Sequence, residues 1–221
     1  MIRPPPAMTR RRSLARFLRW WSGAALALFL AAGLTACGQF IPGTGPAPNL
    51  YNLTPKSTFR PDLPKVDWQL VVEEPLAAGG LDTNRIALRP SATELKYFGG
   101  VRWVERAPRM VQTLLVESFE NTGKIVAVGR QAIGLRSDFN LKSELREFQA
   151  EYIGGRSVPV IRVRLNAKIV RQPRLVIIAS RNFERAVPAA DNSMPAIVAA
   201  FDKALDKVLR QLVEWTLLTA G

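Results

Sequence analysis

Hydrophobic and polar residues alternate along several segments of the chain, which predicts β-strands. From Val163 to Ile169 every second side chain is apolar, and the residues between them are Arg, Asn and Lys. This period of two is typical of an antiparallel strand that has one face in water. By the same criterion we expect strands near residues 68–72, 85–89, 125–129 and 141–152.

Two further strand predictions rest on local composition. Leu175–Ile178 are all apolar, which favours a central strand that follows a turn at Pro173. Glu94–Phe98 and Val101–Val104 lie on either side of Gly99-Gly100, an arrangement that favours a hairpin. We therefore expect a buried strand late in the chain and a tight turn at the two glycines.

Two segments carry apolar residues at helical spacing. One runs from Met110 to Phe119, with Pro108 suited to its first turn and Gly123 to its C-terminal stop. The other runs from Ile197 to Trp215 and follows Ser193, a favourable N-cap. We predict helices at about 107–121 and 193–218. The expected fold is one α+β domain, in which a mostly antiparallel or mixed sheet packs against these two helices.

The first 36 residues have the pattern of a bacterial export signal. They contain six arginines and no acidic residue, and a short apolar run extends from Gly23 to Leu34. This run is shorter than the ~20 residues of a membrane-spanning helix and fits the h-region of a signal peptide. It ends in Leu34-Thr35-Ala36-Cys37, which looks like a lipobox. Leu34, Thr35 and Ala36 are the predicted recognition residues for the lipoprotein signal peptidase, and Cys37 is the predicted site of lipid attachment.

Two alternatives concern the same segment. Residues 20–36 can be counted as one apolar run that forms a transmembrane anchor, but the chain's only Cys lies where a lipobox requires it. Arg11-Arg12 weakly resembles a twin-arginine export signal, and an ordinary Arg-rich signal accounts for the same residues. The lipoprotein interpretation is preferred, and the choice between the general secretory and twin-arginine routes stays open.

Proline-rich chain follows the predicted lipid anchor. Prolines and glycines are dense between Gly38 and about Lys65. Proline hinders helices and strand pairing and favours extended chain, so this segment is expected to hold the domain away from a bilayer. The predicted organisation is a signal peptide at 1–36, an acylated Cys with a Pro/Gly-rich linker at 37–65, and a single folded domain at 66–221.

The charge of the chain depends strongly on the export signal. The whole chain has 31 basic and 18 acidic residues, and loss of the six arginines in residues 1–36 lowers the net charge from +13 to +7. A basic surface of this size suits anionic headgroups or an acidic partner, and it is equally compatible with an ordinary solvated surface. Nucleic acid is not an expected partner, because an exported protein does not meet it.

The residue types that most catalytic and metal sites need are scarce. The chain has no His and one Cys, which excludes Ser-His and Cys-His catalysis and removes the commonest zinc ligand. Carboxylate pairs occur at Glu73-Glu74, Glu144 with Glu147, and Asp202 with Asp206, and we interpret them as surface residues. We expect no catalytic residues, no metal site and no cofactor, and a protein that is not an enzyme.

Several short motifs follow one another in a recognisable order. They are Tyr51-Asn52-Leu53; Leu95-Lys96-Tyr97 followed by Arg102-Trp103 and Pro108; Asp138-Phe139-Asn140-Leu141; and Arg181-x-Phe183 followed by Ala199-Ala200-Phe201. With this order and a lipobox, the chain after Cys37 resembles the ABC-type transport auxiliary lipoproteins. That family accompanies MCE-domain transport systems and includes the paraquat-inducible membrane-integrity lipoproteins. Arg102 and Trp103 are the candidates for a partner site, or else for a structural motif.

The resemblance implies a role in transport. An ATPase and a permease in the inner membrane would work with an MCE-domain protein that carries phospholipid or other hydrophobic molecules across the periplasm. The auxiliary lipoprotein would dock or receive that bridge, alone or as a homo-oligomer. Gly38, rather than Asp, follows the predicted acylated Cys37, which favours an outer-membrane location facing the periplasm over the inner membrane.

Two other functions are weighed against this one. The first is a structural outer-membrane lipoprotein that supports envelope assembly without handling lipid. The second is a periplasmic hydrolase that depends on a carboxylate pair, for which two carboxylates ~5–9 Å apart in a deep cleft would be required. An exposed apolar patch or groove would favour direct lipid handling over docking.

Overall fold

A computed structural model describes residues 46–130 and 137–220 of the chain. Within these ranges it contains nine strands and two helices, which confirms the predicted α+β fold with a mixed sheet. The strands are β1 (Asn49–Tyr51), β2 (Val66–Val72), β3 (Leu76–Ala77), β4 (Arg85–Arg89), β5 (Lys96–Trp103), β6 (Ile125–Arg130), β7 (Phe139–Glu151), β8 (Val160–Arg171) and β9 (Val176–Pro188). The helices are α1 (Ala107–Asn121) and α2 (Met194–Thr219).

Strand β7 organises the sheet. Along one edge it pairs antiparallel with β8 over its whole length, and β8 pairs antiparallel with β9. Along its other edge it pairs in parallel with β2, β3 and β4 in succession. Strand β5 lies between β4 and β1, and β6 pairs with β2. One long strand is thus shared by the early and late parts of the chain.

The alternation predicted for β8 is present in the structure. Ile161, Val163, Leu165, Ala167 and Ile169 are fully buried, whereas Lys168 is exposed and Arg162 and Arg164 are half-buried. The apolar side chains lie under α2, which packs on β8 and β9. The opposite face of β7 and β8 carries the charged residues of those two strands. The prediction of a sheet with one wet face is confirmed.

Both helices form where their sequence signals place them. Helix α1 has Pro108 in its first turn and is followed by Gly123 at φ +60°, a conformation that favours glycine. The Ser193 side chain caps α2 by accepting a hydrogen bond from the Ala196 backbone N–H at 3.4 Å. The predicted apolar stripe from Ile197 to Leu212 is buried, and Trp215 is half-buried against Phe183.

An aromatic cluster closes the space between the sheet and α2. Trp103 of β5, Phe148 of β7 and Phe201 of α2 have ring centroids 5.1–5.6 Å apart, and all three are buried. These distances fall in the range of edge-to-face and tilted aromatic contacts. The cluster joins three elements that are distant in the sequence.

The predicted boundary at Val66 was wrong for residues 49–65. Asn49–Tyr51 form β1 beside β5, and Leu53 and Leu63 are buried at 2% and 4% exposure. We call residues 52–65 the strap, because they are bonded to both helices. The Thr54 N–H donates to Asp202 of α2 at 2.7 Å, and the Lys56 N–H donates to Ser118 of α1 at 2.9 Å. Proline prevents helix and ladder formation in this segment, but it does not prevent the intervening leucines from packing.

Two strand predictions also differ from the structure. Lys96–Trp103 form one continuous strand instead of a hairpin, and Gly100 at φ +69° lies in an irregularity in its pairing with β4. Leu175–Ile178 begin at the β8–β9 turn and enter the edge strand β9, so they are not central. Leu175, Val176 and Ile177 are 50–66% exposed. Apolar composition alone did not distinguish an exposed edge from a buried centre.

Candidate functional site

The predicted lipoprotein residues and the predicted Arg-Trp motif have different outcomes. Leu34, Thr35, Ala36 and Cys37 lie outside the described residues, so their assignment remains a prediction. Trp103 is 1% exposed in the aromatic cluster, and the Arg102 side chain donates to the Asn84 side-chain oxygen at 3.4 Å. The Trp103 backbone N–H donates to the Asn84 backbone oxygen at 2.7 Å. Trp103 is therefore a core residue that cannot contact a partner without rearrangement.

A cleft of about 490 Å³ opens at the end of the sheet where β7 begins and α2 ends. Trp68 and Phe139 meet edge to face there at 5.3 Å, and the Arg171 guanidinium lies 5.7 Å from the Phe139 ring centroid. The other lining residues are Pro64, Lys65, Val66, Asp67, Asp138, Gln172 and Ala220. Its volume is in the range of small-molecule sites. The cleft combines an aromatic wall with cations and carboxylates at its rim.

The Trp68 side chain carries an unusual polar group. Its indole N–H is buried and makes no hydrogen bond to any residue of the structure. A buried donor without an acceptor is destabilising by about 1–3 kcal/mol, so proteins seldom retain one. The donor lies in the side chain that lines the cleft, which makes this end of the sheet the leading candidate for a small-ligand site.

Exposed apolar side chains occur at the same end of the molecule. Leu175, Val176 and Ile177 follow the β8–β9 turn, and Leu218 in the last turn of α2 is 52% exposed. Gln172 of the turn and Ala220 after α2 both line the cleft, which places the turn and the helix end together. We call this end, with the cleft and these four side chains, the apolar tip.

An ionic cluster covers part of the open face of the sheet. Arg162 bonds Glu151 at 3.0 Å and Glu184, and Arg164 contacts Glu147 at 3.2 Å. Arg89 lies 3.8 Å from Glu151, whose side chain is only 9% exposed. The hydrogen bond to Glu151 is the main cause of a raised pKa for Arg162, so this guanidinium stays charged. Three cations and three carboxylates balance one another in this cluster.

The carboxylates noted as pairs in the sequence contact cationic side chains, except Asp202, which accepts hydrogen bonds from the Thr54 backbone N–H and hydroxyl. Glu147 and Glu151 belong to the ionic cluster, and Glu74 pairs with Arg106. Other contacts are Glu73–Lys142 at 3.2 Å, Glu144–Arg146 at 2.9 Å, Asp206–Lys56 at 3.0 Å and Asp202–Thr54 at 2.7–3.0 Å. Across residues 46–130 and 137–220, no group of three potential metal-binding side chains is present. In those ranges, no helix has the length and apolar character needed to cross a membrane.

Comparison with known proteins identifies the fold and the family. Protein XCC0632 from Xanthomonas campestris, of family DUF330, is 38% identical, and its crystal structure superposes with a TM-score of 0.74 over 78% of this chain and 96% of its own. A second crystal structure, of an uncharacterised protein, has 14% identity and a TM-score of 0.58 over 76% of this chain and 98% of its own, and it shares the fold alone.

Sequence relatives agree with the structural comparison. Uncharacterised protein bll6063 from Bradyrhizobium diazoefficiens is 29% identical over 177 residues, which are 80% of this chain. This chain spans about half (47%) of the length of that curated relative. The family model described as "ABC-type transport auxiliary lipoprotein component" matches residues 51–213, from β1 into α2. The chain therefore belongs to the family of ABC-type transport auxiliary lipoproteins, which are membrane-anchored components of ABC transport systems.

Proposed function

We propose that this protein is the auxiliary lipoprotein of an MCE-type ABC system that moves phospholipid or other hydrophobic molecules between membranes. It is anchored through Cys37 to the outer membrane and faces the periplasm. It acts by docking the periplasmic MCE-domain component and not by catalysis. The observation that carries this proposal is the family match over residues 51–213, joined to a lipobox at Leu34–Cys37.

The packing of the interior supports docking over internal transport of lipid. Trp103, Phe148 and Phe201 are buried and pack against one another between the sheet and α2, so an acyl chain could enter there only by displacing these rings. The cleft at the apolar tip is small and open, and it suits a headgroup or one side chain better than a complete lipid. Surfaces, and not the core, are thus available for function.

The paired carboxylates support a non-enzymatic role. Glu147 and Glu151 are close enough to share arginines, but those arginines neutralise both groups on an open sheet face. A glycosidase-type pair instead needs one protonated and one ionised carboxyl flanking a substrate cleft. We therefore rank the hydrolase alternative below both the docking lipoprotein and the structural lipoprotein.

The experiment that tests the proposal is an affinity pull-down of the acylated, detergent-solubilised protein. Bound proteins and lipids are identified by mass spectrometry, and an unrelated lipoprotein with the same affinity tag is the control. We expect specific recovery of an MCE-domain protein, and any lipid recovered with it identifies the cargo. If folded, acylated protein recovers neither, the MCE assignment is wrong.

The second candidate is a structural outer-membrane lipoprotein without a lipid-handling role. The buried contact of Trp103 with Phe201 favours it, because these rings occupy space that an internal lipid path between the sheet and α2 would need. Recovery of envelope-assembly proteins without an MCE-domain protein in the same pull-down would support this candidate.

The lipid anchor makes a separate prediction. Replacement Cys37→Ser removes the thiol that diacylglycerol needs, so unprocessed precursor should accumulate and palmitate labelling should disappear. The conservative variant Thr35→Ser keeps a small residue in the lipobox and should be processed. Normal cleavage of Cys37→Ser, seen as a size shift on a gel, would contradict the lipoprotein assignment.

A further inference from the structure

Strand β9 is paired along only one edge. All of its 13 residues except Ile178, which lies at a register shift, pair with β8 between Val160 and Arg171, and no described strand pairs with its other edge. Alternate backbone N–H and C=O groups of an edge strand point outward, which makes such an edge a template for another strand. Pro188, which lacks an N–H, comes only at the last position, so it does not interrupt this edge.

The helix-side face of β9 is cationic beside this free edge. Phe183 is buried against Trp215 of α2, and Arg181 and Arg185 lie two residues to either side on the same face. The Arg181 guanidinium lies 5.4 Å from the Phe183 ring centroid. Both arginines lack a carboxylate within salt-bridge distance in the described structure.

A second group of cations lies next to Arg185. A cleft of about 390 Å³ between β9 and α2 is lined by Arg185, Lys207, Arg210, Gln211 and Glu214. Glu214 bonds Arg210 at 3.0 Å and also accepts the Arg60 backbone N–H. The only carboxylate lining this cleft is thus already engaged, and two of its three cations have no carboxylate partner in the described structure. An anionic occupant would face an excess of positive charge.

We propose that β9 accepts an acidic, extended segment of a partner protein as an additional strand. The segment pairs its backbone with the free edge of β9. Its acidic side chains, on the helix-side face, lie opposite Arg181 and Arg185 and beside the cationic cleft. Apolar residues at one end of the segment cover Val176 and Ile177, which are exposed at the start of β9.

The charges favour such a partner over a second copy of this chain. An antiparallel β9–β9 pair centred on Phe183 would place Arg181 of each copy opposite Arg185 of the other. Like charges directly opposite one another destabilise strand pairs, whereas opposite charges stabilise them. Lys207 in the neighbouring cleft adds to this repulsion. The arginines therefore discourage self-pairing and select an acidic strand.

This inference does not rest on the identity of the transported molecule or on an MCE partner. It concerns the chemistry that β9 recognises, and it can be tested on the purified protein with a synthetic probe. The result of the pull-down described above can therefore be negative while the result on β9 is positive, or the reverse.

The probe is an acetylated and amidated eight-residue peptide that alternates Glu with Thr, labelled for fluorescence anisotropy. Double replacement Arg181→Glu with Arg185→Glu should weaken its binding about tenfold or more, since two cross-strand charge pairs become repulsive. The control is Arg156→Glu, which changes an exposed arginine in the β7–β8 turn and should bind as the wild type does. A matching Lys-Thr peptide should prefer the double variant.

A modified peptide separates strand pairing from simple charge attraction. N-methylation of the residues along one edge of the Glu-Thr peptide removes the N–H groups that would pair with β9 and leaves its charges unchanged. We expect binding to be lost, and we expect the unmodified peptide to protect outward-facing β9 amides from hydrogen exchange.

Three results would overturn the proposal. The first is equal binding of the methylated and unmodified peptides, and the second is normal binding by a double variant that circular dichroism shows to be folded. The third is self-association of the free protein in sedimentation measurements, together with protection of its β9 amides from hydrogen exchange. The first result leaves only an electrostatic surface. The third assigns the edge to a second copy.

Discussion

The two faces of the β7–β8–β9 sheet differ sharply although the same strands build both. Under α2, Val163, Leu165 and Phe183 are at most 2% exposed. On the open face, Arg162, Arg164 and Glu184 alternate with them and are held by ion pairs. Because side chains alternate along a strand, each residue on one face fixes the position of its neighbour on the other. Packing under the helix thus sets the spacing of the charges outside.

The comparison assigns different tasks to the two faces. The dry face supplies most of the stability, because burial of apolar area is the dominant favourable contribution to folding. Each exposed ion pair on the open face adds only about 0.2–1 kcal/mol to the free energy of unfolding. This is a small part of the roughly 5–15 kcal/mol that is typical of a whole domain. Substitutions of its exposed charges should therefore change stability little, whereas substitutions of its buried charges should change it more.

The largest effect is expected on the dry face. Replacement Trp103→Ala should lower the free energy of unfolding by ~3–5 kcal/mol, because it removes the ring that contacts both Phe148 and Phe201. Chemical denaturation measures this change. An unchanged melting temperature combined with lost partner binding would make Trp103 an interface residue and would contradict its assignment to the core.

An intermediate effect is expected at Glu151, a buried carboxylate on the otherwise exposed open face. Glu151→Gln should cost about 1–2 kcal/mol, between the values for exposed and buried pairs, because Arg89 and Arg162 lose a carboxylate that is 9% exposed. Glu144→Gln is the matched control, since Glu144 contacts Arg146 at an exposed position of the same strand. Equal effects of the two substitutions would show that burial does not separate these charges.

The smallest effect is expected at an exposed charge outside both faces. The Ser193 side chain first, and then the Ser193 backbone N–H at 2.7 Å, stabilise the Asp191 carboxylate and lower its pKa below the ordinary value of 3.8. A lowered folded-state pKa stabilises the protein above pH 3.8, and the contribution is lost as pH falls through the lower value. The melting temperatures of wild type and Asp191→Ala should therefore converge once the pH is below the folded-state pKa of Asp191. A gap that stays constant down to pH 2 would contradict this linkage.

The sequence was sufficient for features that depend on local pattern. The bounds of α1, the stripe of α2 and the alternation of β8 follow from spacing and capping, and the structure agrees with them. The strap and Leu175–Ile178 were mispredicted because burial depends on elements far away in the chain. Leu53 and Leu63 lie between prolines but are buried, in a segment that is bonded to both helices. Leu175–Ile178 are apolar but lie at the edge of the sheet.

The candidate surfaces were largely beyond reach of the sequence. Trp68 was placed in a predicted strand and Phe139 in a motif of the family resemblance, but only the parallel pairing of β2 with β7 brings them together. Arg185 and Lys207 likewise meet only because α2 folds back over β9. Arg102-Trp103, the motif most conspicuous in the sequence, turned out to contribute its Trp to the core. A dense motif can mark packing as readily as recognition.

The strap has a consequence for the order in which the protein can form. Its Thr54 is bonded to a residue 148 positions later, and Arg60 to one 154 positions later. Because the chain is synthesised from its N-terminus, there is an interval in which the strap exists without the helix that holds it. During this interval Leu53 and Leu63 have no complete site to occupy. The strap can therefore pack only after α2 has been made. In a truncated product that lacks α2, the strap would stay exposed to proteases.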